Sequence, residues 1–307
     1  MKDLKIDYIK RAIKKGDLKY KIFCYFLMKI NYSNERIQAL EIRNKKYSKI
    51  YKKYKKYLDM YNPEKDNNVS NNKPTIWILW LQGVENAPEI VKKCIKSIKH
   101  YNGDKKIVVL TKDNLFDYIK LPKYIIEKWR KGIISNTHFS DIVRIELLYD
   151  YGGIWMDATT FCTSSLPKFF LKNDLFLYRY KDGCDKTIKY NSWFIYSKKG
   201  NRIIGSTRFL LFEYWKHERK IKEYFLLHFF LTMSFEKYQE DEKKIFCLTD
   251  DVAHTLQANF YRKFNIEEYE MIKSKSSIHK LTYKIDKEKI SKGCYYDVLV
   301  NSEKHNY

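Results

Sequence analysis

The chain predicts an α/β fold, a mostly parallel sheet with helices on both faces, preceded by a basic helical N-terminal region. Three observations point there. Short unbroken apolar runs recur (TIWILWL at 75–81, KKIVVLT at 105–111, IWM at 154–156), and runs of that length suit strands buried on both faces. Longer segments of helical period alternate with them, which makes neighbouring strands parallel. Finally, 307 residues suffice to bury a substantial core.

The elements follow in order. Residues 1–73 carry 20 Lys or Arg against 8 Asp or Glu, half of the chain's net charge of +23. The run RNKKYSKIYKKYKKYLDMY there spaces Tyr, Ile and Leu by three and four, as in a basic amphipathic helix. Such a region suits a solvated face or docking on an anionic membrane surface. NPEKDNNVSNNKPT (62–75) is polar and punctuated, a linker into the main domain, residues 74–307. After the first strand, PEIVKKCIKSIKHY predicts a helix with Pro88 in its first turn. The second strand is followed by short helices at DNLFDYI and PKYIIEKWRKG, then a helix over SDIVRIELLYDYGG closed by glycines. The third strand comes next and stops at a lone acid, Asp157. NSWFIYSKKGNRII predicts a strand and turn, residues 209–235 one or two aromatic helices, and EKYQEDEKK a solvated charged break.

Composition narrows the function. The six cysteines are scattered, with no CxxC and no Cys/His cluster at zinc spacing, so a reducing cytoplasm is the expected compartment. No secretory leader or membrane-spanning run is expected, since KIFCYFLMKI is about half the roughly 20 residues a bilayer needs. The charge invites nucleic acid as a partner, but the basic side chains are overwhelmingly Lys and no recognition motif is present; no nucleic-acid partner is expected. The Rossmann, P-loop, serine-hydrolase and zincin signatures are also missing.

What remains is the carboxyl edge of the sheet, where ligands of open α/β folds sit. Asp157 ends a buried strand there. Asp141 and Arg144 share one helix face three residues apart, on a helix otherwise apolar, with Ser140 as the expected N-cap. Three charged groups then converge on one crevice.

The string SDIVR…LLYDYGGIWMDAT resembles the signature of the capsular polysaccharide synthesis glycosyltransferases, related to glycosyltransferase family 32 and more distantly to the large clostridial glucosylating toxins. The resemblance spans roughly residues 74–285 and includes IWILWLQGVENAPEIVKKCIKSI, NSWFIYSKKGN, LTDDVAH and SIHKLTYK. It implies a GT-A fold, a nucleotide-sugar donor, a divalent metal and transfer with retention. Residue by residue, it implies that Trp80 stacks on the base and that Gln82 lies at the donor; Trp77 could instead be the packed tryptophan, and a core role for either is the alternative. Asp141 would bind ribose or sugar, and Arg144 hydroxyls or phosphate. Asp157 would be the first acid of the DxD motif and Lys280 would neutralise the leaving diphosphate. Thr159 replaces the second acid. A weakly held Mn²⁺ or Mg²⁺, assisted by nucleotide, is therefore expected on Asp157, Thr159 and His279. Asn191 is expected near the sugar and Asp250 and Asp251 near acceptor hydroxyls, with an N-cap as their alternative role.

The expected function is transfer of a hexose, most readily from a UDP-linked donor, to a lipid-linked saccharide of a surface polysaccharide, at the inner membrane face. A catalytically silent partner of another transferase and a basic binding module are the alternatives.

Overall fold

The computed structural model describes residues 35–63, 73–180 and 185–301, together with Ile22. The rest of 1–34 and the centre of the expected linker, 64–72, lie outside the described residues. The run expected as a basic amphipathic helix is α1 (Glu35–Met60). It buries Ile50, Tyr54 and Leu58 at spacing four while Lys45, Lys49, Lys52, Lys55 and Lys56 stay exposed on its other sides.

The main sheet has the order β2-β1-β3-β6-β5. Strands β1 (Ile76–Leu79), β2 (Ile107–Leu110) and β3 (Gly153–Met156) pair in parallel. Helix α2 (Glu89–Tyr101) connects the first two, and α3 (Lys123–Arg130) and α4 (Asn136–Asp150) lead into the third. A short β4 (Thr160–Cys162) follows, then β5 (Leu175–Arg179) and β6 (Tyr190–Ser197), both paired antiparallel. The segment 209–235 resolves into two helices, α5 (Arg202–His217) and α6 (Leu226–Lys237). The charged break is partly a one-turn helix, α7 (Gln239–Glu242), tied down by Arg202–Asp241 and Lys189–Glu242 pairs. Helices α8 (Asp251–Ala258) and α9 (Ile266–Lys275) precede β7 (Ile278–Lys280), which pairs antiparallel with β4, and α10 (Tyr295–Asn301) ends the described chain.

Alternation along the strands divides the core into two layers. Trp77, Leu79, Val108, Leu110, Trp155, Leu177 and Ile195 face the layer holding α1, α4, α5 and α6. Ile76, Ile78, Ile154, Met156, Phe176, Phe194 and Tyr196 face the layer holding α2, α8 and α9. Both faces are covered, so the unbroken apolar strands are accounted for.

Two local features, one of them a difference from expectation, have plain causes. Helix α4 starts one turn earlier than expected, because Ser135, not Ser140, caps it by accepting from the His138 amide at 3.4 Å. The turn into β3 needs both glycines. Gly152 and Gly153 have φ of +67° and +101°, and a Cβ on Gly153 would lie 2.4 Å from the Thr75 carbonyl oxygen.

Candidate active site

The carboxyl ends of β1 and β3 gather the charged side chains. Asp157 follows β3 and shares a face with Trp155, two residues before it, whose Nε1 donates to its Oδ1 at 3.0 Å. That face looks toward α4. Arg144 reaches down from α4 over the Trp155 ring, 5.0 Å from its centroid, and its Nη2 lies 3.5 Å from Asp157 Oδ1 and 3.4 Å from Asp141 Oδ1. Its Nη1 donates to the Ser192 carbonyl at 2.6 Å and to the Ser192 hydroxyl at 2.8 Å. Because β6 is antiparallel to β3, its opening residues lie beside the end of β3, and the Trp193 carbonyl accepts from the Asp157 amide. From β7, Lys280 Nζ donates to Asp157 Oδ2 at 2.9 Å and to Thr159 Oγ1 at 2.6 Å. Burial pushes the Asp157 carboxyl up, but Lys280, Arg144 and the Trp155 hydrogen bond outweigh it and hold the group below the usual carboxylate range.

Two groups of this cluster, Arg144 Nε and His228 Nδ1, are buried with no partner among the described residues, as are Trp80 Nε1 at the end of β1 and Asn191 Nδ2 and Trp193 Nε1 on β6. Unpaired groups of this kind cost free energy unless a ligand or water meets them. Trp77 is the packed tryptophan, its Nε1 donating to the Gly152 carbonyl at 2.9 Å, whereas Trp80 at the strand end is half-buried and meets Tyr283 edge-on at 5.5 Å. Gln82 is exposed in the loop that follows.

The sequence matches the family described as capsular polysaccharide synthesis protein over residues 27–299. The chain belongs to this family. It is also similar to glycosyltransferase afumC of Aspergillus fumigatus, 26% identical over 110 residues, 33% of this chain and 27% of that protein. The chain thus matches about a quarter of that relative's length. Among solved structures it is similar to the PaToxG glycosyltransferase, at 16% identity and a TM-score of 0.40, covering 67% of this chain and 84% of that one.

Of the three side chains expected to hold a divalent ion, Asp157 and Thr159 stand together at Lys280 and His279 does not join them. Neighbours on β7 point to opposite sides, so Lys280 faces Asp157 while His279 turns away from it. His279 is fully buried, with Nε2 3.2 Å from Thr163 Oγ1, and burial pushes its ring down to about 4. The lone carboxylate is already shared by two cations, and Thr159 Oγ1 accepts from one of them. Among the described residues no group of three or more His, Cys, Asp or Glu is placed to hold a metal.

Asp250 and Asp251 separate. Asp250 occupies the N-cap position of α8 without capping it, is buried, and meets His254 Nε2 at 2.9 Å. Asp251 is exposed and pairs with none of the cluster's groups. Four residues at the site escaped sequence reasoning: Trp155, Ser192, His228 and Tyr283. His228 Nε2 lies 3.4 Å from Ser192 Oγ, and burial pushes its ring down to about 4, so it is neutral at physiological pH. Ser192 and Tyr283 lie inside the strings NSWF and SIHKLTYK, so a signal existed. His228 carried none, because α6 is apolar and lies 71 residues beyond Asp157.

Proposed function

We propose that the chain is a GT-A glycosyltransferase that moves a hexose from a nucleoside-diphosphate donor, UDP-linked, onto a saccharide acceptor of a surface polysaccharide, with retention. The observation that carries this reading is the convergence of Arg144, Asp157 and Lys280 at the carboxyl edge of the parallel strands, with Trp80 at the end of the neighbouring strand. Membership of the capsular polysaccharide synthesis protein family and the similarity to a named glycosyltransferase support it.

In this reading Trp80 and Tyr283 supply aromatic surface for the base. Arg144 and Lys280 donate to the diphosphate, and Asp157 holds both cations in place while accepting from a ribose or sugar hydroxyl. The bond from the anomeric carbon to the β-phosphate oxygen breaks as the acceptor oxygen bonds that carbon on the same face. The acceptor's proton passes to the departing phosphate. The transition state is oxocarbenium-like, so the protein's task is orientation and stabilisation of charge on the leaving oxygens. The acceptor in this reading is lipid-linked, and the basic N-terminal residues bring the enzyme to the inner membrane face.

Incubation with a panel of UDP-hexoses, followed by release of UDP, tests the proposal. Wild type is expected to turn over at least one of them, and Asp157→Ala to lose about a hundredfold or more in kcat. Equal turnover by the variant, or none by wild type with any UDP-hexose, contradicts it.

A further inference from the structure

We infer that Lys280 takes the place of the divalent cation, so that the ammonium of this chain, and not a bound metal, balances the donor diphosphate. The inference rests on the transferase reading above and concerns the same site.

A metal at this edge of the sheet would need the two oxygens that the chain offers there, Asp157 Oδ2 and Thr159 Oγ1. Lys280 Nζ stands 2.9 Å from the first and 2.6 Å from the second. Those are the contacts of an ammonium in a two-oxygen cradle, and a cation placed between the same atoms would displace it. The other carboxylate oxygen, Asp157 Oδ1, faces Arg144 Nη2 and accepts from Trp155 Nε1. Each oxygen of the Asp157 carboxylate is thus already engaged by a cationic or N–H donor of the chain itself. The substitution of Thr159 for a second acid is consistent with this. A second carboxylate would strengthen the hold on a dication, whereas a hydroxyl is the neutral acceptor that suits a lysine.

The ammonium is also built in rather than incidental. β7 pairs with β4 in the register Thr160 to Lys280 and Phe161 to His279, and the Leu281 amide donates to the Thr159 carbonyl at 2.9 Å. This pairing fixes the lysine beside the threonine it bonds. Its side chain is 18% exposed, which leaves one side of the charge open to a ligand. Asp141, Arg144, Asp157 and Lys280 sum to no net charge, so an arriving diphosphate is met by two fixed cations whose own counter-charges are already in place. Preorganised charge of this kind stabilises a leaving group without reorganisation during the reaction.

The test is calorimetric titration of UDP into the full-length protein, in EDTA and again in Mn²⁺, for wild type, Lys280→Ala and Lys280→Arg. The expected result is wild-type affinity the same within about twofold in both buffers. Lys280→Ala should bind at least tenfold more weakly in EDTA and regain affinity in Mn²⁺, because the vacated cradle then admits the metal. Lys280→Arg should stay close to wild type. Wild-type binding that appears only with Mn²⁺ overturns the inference and leaves the transferase reading standing. No UDP binding by wild type in either buffer overturns both. The wild-type comparison decides even where a variant does not fold.

Discussion

Asp157 is the residue on which the site turns, and its setting follows from position alone. It is the first residue past an unbroken buried strand, on the Trp155 face, where α4 delivers a guanidinium. Arg144 acts through geometry as well as charge, since its two Nη atoms reach Ser192, Asp141 and Asp157 at once. A lysine cannot reproduce that fork. Arg144→Lys is therefore expected to weaken UDP binding about tenfold, near 1.4 kcal/mol, measured by calorimetry. The buried histidines make a second prediction. His279 sits near 4 in the folded chain against an ordinary value near 6.5. Its depressed value means the unfolded chain binds the proton first, so stability is lost as pH falls from about 6.5 to about 4 and levels off below. Urea midpoints measured across that range should fall, and His279→Gln should flatten part of the slope. Asp141, Arg144 and Asp157 were legible in the sequence because local spacing placed them. The partner of Asp157 on β6 was not, because antiparallel pairing across 36 residues decides who meets it, and Lys280 on β7 was reached through the resemblance and not through any spacing.

At the scale of elements, the parallel half of the sheet was legible and the antiparallel half only in part. β1 and β3 are buried on both faces, β2 is buried on one and half-buried on the other, and all three leave unbroken apolar runs. β4 and β7 are three residues each, too short to leave a pattern. The Gly152-Gly153 turn was visible as a dipeptide, and the structure supplies its reason in the close approach to Thr75. Gly153→Ala is expected to cost about 2 kcal/mol or more in urea denaturation, through a positive φ and a clash with backbone. α1 carries a different lesson. Its lysines are not all surface charge: Lys46 pairs with Glu223 at 3.1 Å and Lys53 with Glu218 at 2.6 Å, while Tyr54 is 1% exposed and donates to Glu218. Charge counting saw the lysines and not the acids in the turn between α5 and α6. Tyr54→Ala should cost about 3 to 5 kcal/mol by the same denaturation assay, a large-to-small loss in the core.

At the scale of the whole molecule, α1 packs on α5 and α6 and joins the core layer that also holds Trp155 and the residues around Arg144. A truncation that removes residues 1–70 would strip Ile50, Tyr54 and Leu58 from that core. Membrane docking is instead tested by removing residues 1–34, which hold 9 Lys or Arg against 3 Asp. The truncated protein is expected to keep UDP affinity and to lose binding to vesicles with an anionic lipid fraction, read by sedimentation. Unchanged vesicle binding would place the attachment elsewhere or remove it from the account. No helix among the described residues is long and apolar enough to cross a membrane, so surface attachment by charge is the mode this experiment addresses. The central claim, that the strand-ending acid anchors a nucleotide donor, is met most directly by titrating UDP, with GDP as comparison, into wild type and Asp157→Ala. The account predicts saturable UDP binding by wild type, weaker GDP binding, and loss of the UDP signal in a variant that still melts cooperatively. UDP affinity unchanged in Asp157→Ala would contradict it.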